Sequence, residues 1–144
     1  MDGELPRDAT GLLRALMRAY AERRLRDVHA LYAPTATHRD VATGRTIEGP
    51  DAIVAGLGRF VERMPDARWE VERILGDEAA AACTYRLTAT LQEDLGPYVA
   101  AGQAVELPGA LVLTARDGAI AATADYWDSG TLDRQLRAPA EASR

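Results

Sequence analysis

Hydrophobic side chains recur every three to four residues through the first half of the chain, which is the spacing of amphipathic helices. The first such run follows Asp8 and Thr10, and either residue suits a helix N-cap. A second, shorter run ends before Pro34, and a third opens at Pro50 and closes at Pro65. The predicted inward-facing residues of the three helices are Leu12, Leu13, Leu16, Met17 and Tyr20, then Val28, Leu31 and Tyr32, then Ile53, Val54, Leu57, Phe60, Val61 and Met64.

Alternation of polar and apolar residues, the period of a strand, marks most of the remaining segments. Two short strands are predicted between the second and third helices, and four long strands follow the third helix. This order places three helices on one side of a curved, mixed or antiparallel sheet, which predicts an α+β cone with an internal pocket. The predicted strands span residues 35–41, 45–48, a segment from about Trp69, 79–91, 102–115 and 119–128, and a short helix at 130–136 follows.

The same pattern sets the expected limits and irregularities of the domain. We expect one domain at residues 9–137, a flexible N-terminus at 1–8 and a flexible tail at 138–144. Proline cannot donate a backbone hydrogen bond to a neighbouring strand. We therefore expect a bulge or bend at Pro108 and Gly109, inside the fifth strand.

Composition narrows the class of protein. The chain has 144 residues, of which 47% are hydrophobic and 27% charged, as in one globular domain. Its basic side chains are all arginine and are dispersed among acids, with a net charge of −5, which argues against a nucleic-acid partner. Cys83 is the only cysteine, which fits a reducing compartment. No apolar run approaches the ~20 residues that span a bilayer, so we expect a cytoplasmic protein that does not enter the membrane.

The end of the last predicted strand carries the strongest candidate chemistry. Residues 119–124 are small and mostly apolar, and two carboxylates and two large aromatic rings then follow abruptly at 125–128. Strand alternation places Asp125 and Trp127 on one side. A carboxyl group beside an indole ring on the concave side of a sheet would form one wall of a pocket for an organic molecule.

Several short motifs, in this order and spacing, resemble the SnoaL-like polyketide cyclases of the NTF2-like superfamily, which includes ketosteroid isomerase. The resemblance runs from about Leu12 to Leu136 and implies the NTF2-like cone. The motifs are the stretch 30–40, which ends in His38-Arg39-Asp40; Gly49-Pro50-Asp51; Met64-Pro65-Asp66; Gly102-Gln103; Pro108-Gly109; Arg116-Asp117-Gly118; and Asp125-Tyr126-Trp127-Asp128 followed by Leu132, Gln135 and Leu136.

The resemblance implies roles for two acids. Asp40 matches the position at which ketosteroid isomerases carry their proton-shuttling carboxylate. Asp125 falls on the closing strand, where polyketide cyclases of this type place their catalytic acid. We expect the two carboxylates to face each other across the mouth of the cone, where burial would raise a carboxyl pKa and suit it to proton transfer. The isomerase tyrosine is replaced by Leu16 and its second acid by an apolar residue near Ala110, so the usual steroid-isomerase apparatus is not expected.

Other candidates are placed by parity and by the same resemblance. His38 shares the face of Asp40 and is a candidate to relay a proton or to hydrogen-bond a ligand carbonyl. Tyr98 lies in a loop that could cover the mouth. For each candidate a purely structural role stays open. A third metal ligand at usable spacing is missing, so neither a metal nor another cofactor is expected. The expected substrate-binding residues are Tyr85, Trp127, Cys83, Leu87, Leu16, Tyr20, Phe60, Tyr98 and Val112.

Two classes of function remain open at this point. The first is a cofactor-free acid–base enzyme, of the cyclase or isomerase type, that acts on a small hydrophobic carbonyl or polyketide-like molecule. The second is a non-catalytic module that binds a small molecule or mediates dimerisation, and epoxide hydrolysis is a further alternative. Carboxylates that point into a cavity favour the enzyme, whereas acids bonded only to backbone favour the module. A homodimer is expected under either hypothesis.

Overall fold

The computed structural model describes residues 7–137, which form four helices and six strands. The order of helices and strands is the order that the sequence predicts. Their bounds are α1 Ala9–Ala21, α2 Leu25–Leu31, β1 Tyr32–Asp40, β2 Arg45–Glu48, α3 Pro50–Arg63, β3 Arg68–Gly76, β4 Ala80–Thr90, β5 Ala104–Arg116, β6 Ala119–Trp127 and α4 Ser129–Arg137.

The six strands form one curved, unclosed sheet in the order β2-β1-β6-β5-β4-β3. All neighbouring pairs are antiparallel except β1 and β6, which run parallel. This parallel pair joins the first and last strands of the sequence and sets Asp40 directly opposite Asp125. The α+β fold with a mixed sheet is therefore confirmed.

The core lies between the helices and one face of the sheet. Leu12, Leu13 and Leu16 of α1 are at most 1% exposed, so the predicted helical face is the buried one. In β4 every second residue from Ala81 to Ala89 is buried, as the period of a strand requires. Burial of each large apolar side chain stabilises the fold by about 1.5–3 kcal/mol.

Pro108 and Gly109 do not interrupt the sheet with a bulge. The pairing of β4 with β5 runs through both residues without a register shift, and the irregularity in β5 lies instead between Thr114 and Ala115. The pairing of β5 with β6 begins at Gly109. Pro108 therefore lies just beyond the end of that ladder, where its missing donor costs little.

Strand β1 also begins earlier than predicted. Tyr32, assigned from periodicity to the second helix, is the first residue of β1, and Pro34 lies inside the strand. The pairing of β1 with β6 is irregular between Tyr32 and Thr37, so no regular ladder is required at Pro34.

The N-terminal end makes specific contacts within the described residues. Asp8 caps α1 by accepting a hydrogen bond from the backbone N–H of Gly11 at 2.9 Å. The Nε of Arg7 donates to the backbone carbonyl of Gly118 at 2.8 Å. The rest of the flexible N-terminus expected at 1–8, and the tail expected at 138–144, lie outside the described residues. Within the described part of the chain, no helix is both long and apolar enough to cross a membrane.

Candidate active site

A cavity of about 510 Å³ lies between α3 and the inner face of the sheet. Most of its lining is aliphatic or aromatic, and a smaller set of polar and charged side chains interrupts it. The apolar lining comprises Tyr20, Ile47, Ile53, Leu57, Phe60, Met64, Trp69, Leu87, Leu95, Val105, Leu107, Trp127 and Leu132, with Gly56 and Gly96. The polar lining comprises His38, Asp40, Thr43, Arg45, Arg59, Arg63, Tyr85 and Asp125.

Asp125 lines the cavity and is bound by a tyrosine. The hydroxyl of Tyr85, a residue only 3% exposed, donates to Oδ1 of Asp125 at 2.7 Å. The ring of Tyr85 can reach this position because it lies against Gly109 on the adjacent strand. A Cβ built on Gly109 would stand 2.3 Å from the Tyr85 hydroxyl oxygen, so only glycine leaves enough room there.

The environment of Asp125 favours its protonated form. Burial is the main cause, and the negative charge of Asp40 adds to it, whereas the hydrogen bond from Tyr85 acts in the opposite direction. Together they raise the pKa of Asp125 from 3.8 to about 6. A carboxyl group with this pKa exchanges protons readily near neutral pH, as general acid–base catalysis requires.

Asp40 lies beside Asp125 rather than across the mouth from it, which corrects the expected geometry. The two residues are register partners on the parallel strands β1 and β6, so their side chains project from the same face. The Oδ1 atom of Asp40 is buried and has no hydrogen-bond partner among the described residues. Structural acids are normally satisfied, so an unpartnered buried oxygen supports a functional role for Asp40.

His38 is held by a residue that the sequence analysis did not single out. Its Nδ1 lies 2.7 Å from the hydroxyl oxygen of Thr123, which in turn lies 2.9 Å from the hydroxyl oxygen of Tyr32. Thr123 is 2% exposed and Tyr32 5% exposed. Burial lowers the pKa of His38, and the nearby Asp40 charge opposes this only in part. In the sequence, Thr123 stands out only as a single polar residue within the mostly alanine run 119–124. Its hydrogen-bond partners could not be predicted, because they are remote along the chain.

An aromatic cluster forms another part of the wall, and it includes a second residue that sequence reasoning missed. Trp69 packs edge-on against Tyr20, with ring centroids 5.1 Å apart, and lies 5.7 Å from the ring of Phe60. The guanidinium of Arg23 lies over the Trp69 ring at 5.8 Å. Tyr20 and Phe60 were expected at the site, whereas Trp69 had been assigned only to the start of a strand.

Three arginines add positive charge to the cavity lining. Arg63 is held in place, since Nε donates to the carbonyl of Asp94 at 2.9 Å and one terminal nitrogen donates to the carbonyl of Arg59 at 3.0 Å. Arg45 and Arg59 are exposed, which places them toward the opening. The cavity therefore combines carboxylates on the sheet with guanidinium groups near its mouth.

Four of the expected substrate-binding residues are not among the described residues that line the cavity. Leu16 and Cys83 are fully packed in the core at 0% and 1% exposure, and burial raises the pKa of the Cys83 thiol to about 11. Val112 projects from the opposite face of β5, because its neighbours Leu111 and Leu113 take the inward positions. Each correction follows from packing depth or strand parity.

The fourth of these residues is Tyr98, the expected lid residue. Its hydroxyl donates to Asp133 of α4, and the Arg137 guanidinium lies over its ring at 5.6 Å. The cavity is instead reached from the same loop by Leu95 and Gly96. The loop thus contributes to the wall through different side chains from the one expected.

The remaining candidate site residues do line the cavity. They are His38, Asp40, Asp125, Tyr85, Trp127, Leu87, Tyr20 and Phe60. Arg39 and Arg86 are not among the described residues that line the cavity, and Arg86 pairs instead with Glu106 at 2.9 Å. Within residues 7–137, no group of three or more His, Cys, Asp or Glu side chains is arranged to hold a metal ion.

Solved structures share this architecture. A candidate SnoaL-like polyketide cyclase from Jannaschia sp. CCS1 is 19% identical with a TM-score of 0.80, covering 96% of this chain and 99% of its own. A candidate polyketide cyclase from Pseudomonas putida KT2440 is 22% identical with a TM-score of 0.77, covering 90% and 98%. A protein with a ketosteroid isomerase-like fold from Catenulispora acidiphila DSM 44928, solved in complex with trimethylamine, is 17% identical with a TM-score of 0.76, covering 92% and 97%.

These likenesses show a common fold, and the sequence shows the family. No curated protein sequence matches the chain. The sequence profile of the SnoaL-like domain, however, matches residues 13–123, which is most of the chain and includes β1, β4, β5 and the first half of β6. The chain therefore belongs to the SnoaL-like domain family, whose solved neighbours have the ketosteroid isomerase-like fold.

Proposed function

We propose that this protein is an acid–base enzyme of the cyclase or isomerase type, acting on a small hydrophobic carbonyl compound without a cofactor. One observation carries the proposal. Two carboxylates, Asp40 and Asp125, lie side by side on adjacent strands in the wall of an otherwise largely apolar cavity. Neither side chain accepts a hydrogen bond from a described backbone group, since Asp125 is bonded to a tyrosine hydroxyl and Asp40 has a buried oxygen without a partner among the described residues.

The pair can divide the two roles of proton transfer. Asp40, as the charged carboxylate, takes the proton from a carbon next to the substrate carbonyl, and the C–H electron pair moves into the resulting enolate. The acid form of Asp125, accessible because its pKa is about 6, returns a proton to oxygen or to another carbon. In a cyclisation the enolate carbon instead forms a bond to a second carbonyl, whose oxygen takes the proton. General acid–base catalysis of this kind contributes about 10²–10⁴-fold in rate.

The cavity also limits the substrate. Its volume of about 510 Å³ is in the range of sites for compact organic ligands. The ring of Trp127 and the aromatic cluster around Trp69 offer flat apolar surfaces. Arg45 and Arg59 near the mouth favour a substrate whose outer end carries an acidic group.

A second candidate is a binding module for an organic cation. Carboxylates together with the rings of Tyr20, Phe60 and Trp69 are the groups that recognise alkylated ammonium ions. The neighbour from Catenulispora acidiphila was solved with trimethylamine. Calorimetric titration of this protein with trimethylamine distinguishes the candidates: tight binding that is lost in Asp125→Asn favours the module.

A homodimer is a separate proposal. Tyr126 of β6 is 47% exposed on the face of the sheet opposite the cavity. Tyrosine is enriched in protein–protein interfaces relative to the rest of the surface. Light scattering coupled to size-exclusion chromatography should give twice the monomer mass of 15.5 kDa, and Tyr126→Ser should weaken the association.

The enzyme proposal is tested most directly by hydrogen–deuterium exchange, because exchange detects proton abstraction whatever the final product. A panel of cyclic ketones and β-dicarbonyl compounds is incubated in D₂O with protein, and loss of the α-proton signal is followed by ¹H NMR. We expect Asp40→Asn and Asp125→Asn each to slow exchange by about 10²-fold or more. Asp128→Asn is the matched control, because Asp128 is exposed and caps α4.

One result of this exchange assay would contradict the enzyme proposal. If both cavity variants keep the wild-type exchange rate on every compound that the protein turns over, these carboxylates do not carry the proton transfer. Circular dichroism of each variant separates loss of activity from loss of folding.

A further inference from the structure

Three buried or half-buried side chains form a continuous hydrogen-bonded chain that ends at the cavity. The hydroxyl oxygens of Tyr32 and Thr123 are 2.9 Å apart, and the Thr123 hydroxyl oxygen is 2.7 Å from Nδ1 of His38. His38 is part of the cavity wall, whereas Tyr32 and Thr123 lie behind it. These hydrogen bonds link β1 to β6, the strand pair that also carries the two carboxylates.

The number of available protons decides the direction of both hydrogen bonds. Each contact needs one proton, and each hydroxyl can donate only once. If Nδ1 carried the proton and donated to Thr123, the Thr123 hydroxyl would have to donate to Tyr32 or to nothing. The first case leaves the Tyr32 hydroxyl without an acceptor among the described residues, and the second leaves the Thr123 hydroxyl without one. A buried donor without an acceptor costs about 1–3 kcal/mol.

One arrangement gives both buried hydroxyl protons an acceptor. Tyr32 donates to Thr123, Thr123 donates to Nδ1 of His38, and the histidine proton sits on Nε2. We infer that Tyr32 and Thr123 are positioning residues that hold His38 as the Nε2–H tautomer, so that the ring presents a hydrogen-bond donor to the cavity. The tautomer follows from the geometry alone, whereas its use in catalysis rests on the proposed function.

Of the two roles expected for His38, this assignment favours hydrogen-bond donation to a ligand carbonyl over the relay of a proton. A neutral imidazole with its proton on Nε2 can stabilise the negative oxygen that forms when a proton is removed beside a carbonyl. It cannot act as the base through Nε2, since that nitrogen is already protonated. Protonation of Nδ1 would also break the bond from Thr123, which agrees with the lowered pKa of this histidine.

Nuclear magnetic resonance of ¹⁵N-histidine-labelled protein tests the inference without any substrate. At a pH where the ring is neutral, we expect the His38 signals of a protonated Nε2 and of an Nδ1 that accepts a hydrogen bond. Thr123→Val keeps the side-chain shape but removes the donor, so the Nδ1 resonance should move to that of an unbonded nitrogen or average between tautomers. Thr123→Ser keeps the hydroxyl and should retain the wild-type spectrum. His29, on the surface beside Asp51, is the internal reference and should not change.

Two results would overturn the inference: a proton on Nδ1 in the wild-type protein, or an Nδ1 resonance that does not move in Thr123→Val. In the deuterium-exchange assay Thr123→Val should be about tenfold slower than Thr123→Ser, the effect of about one net hydrogen bond. A confirmed tautomer together with no exchange activity in the wild-type protein would contradict the proposed function alone. The two claims therefore fail separately.

Discussion

Replacing Asp125 by asparagine should stabilise the fold above pH 6 while it removes the proposed activity. The folded protein raises the pKa of this carboxyl from 3.8 to about 6, mainly by burial. The folded state therefore binds the proton more tightly than the unfolded chain does. The favourable contribution of this group is fully present below about pH 4 and is lost as pH rises through about 6.

The size of the effect follows from that difference. At about 1.4 kcal/mol per pKa unit, the rise from 3.8 to about 6 corresponds to about 3 kcal/mol. Asparagine carries no charge and still offers an oxygen to the Tyr85 hydroxyl, so Asp125→Asn relieves this cost while it keeps the contact. Water in the cavity screens part of the cost, which makes about 3 kcal/mol an upper limit on the gain at pH 8.

Urea unfolding of the wild-type and variant proteins between pH 4 and pH 8 measures the gain directly. The difference in unfolding free energy should be near zero at pH 4, grow through pH 5 and 6, and level off above pH 7. Asp128→Asn is the control of opposite sign. Hydrogen bonds from Thr131 lower the pKa of Asp128, so its charge contributes stability at neutral pH that is lost as pH falls.

One outcome would refute the reasoning. If Asp125→Asn is no more stable than the wild type at pH 8, or if its gain is the same at pH 4 and pH 8, then this carboxyl is not held at a raised pKa. The description of the cavity as an environment that favours its protonated form would then be wrong, whatever the variant does to activity.

Three further predictions follow from the same site. Gly109→Ala should displace the Tyr85 hydroxyl and raise the pKa of Asp125 further, because the hydrogen bond from Tyr85 lowers that pKa; ¹³C NMR of the carboxyl measures the change. The control is Gly58→Ala, whose new Cβ meets only an ordinary contact at 3.6 Å and should leave the pKa of Asp125 unchanged. Arg59→Gln should weaken binding of an anionic naphthalene sulfonate dye severalfold but leave a neutral naphthylamine dye unaffected, and equal losses for both would contradict an anion-binding mouth. For any substrate found, a rate that needs the acid form of Asp125 should fall as pH rises through about 6, and a flat profile from pH 5 to 8 would exclude that role.

The sequence specified the elements and their buried faces because both are local properties. Periods of 3.6 and two decide which side chains of a helix or strand share a face, so the inward leucines of α1 and the common side of Asp125 and Trp127 could be predicted. The cap of α4 is equally local, because the Asp128 carboxylate accepts the backbone N–H of Thr131, three residues further along the chain. The errors at Tyr32 and Pro108 arose where pairing between strands overrode the local signal.

What lines the cavity was decided by contacts between distant parts of the chain. Asp40 and Asp125 were expected in one pocket, but only the parallel pairing of β1 with β6 makes them neighbours. The same pairing brings Thr123 to His38 across 85 positions of sequence. How deeply a side chain is buried also depends on distant parts of the chain. Leu16 and Cys83 face inward but are covered by other core residues, whereas Trp69 reaches the cavity. Parity fixes the side on which a residue lies, and packing of the whole chain fixes what it meets there.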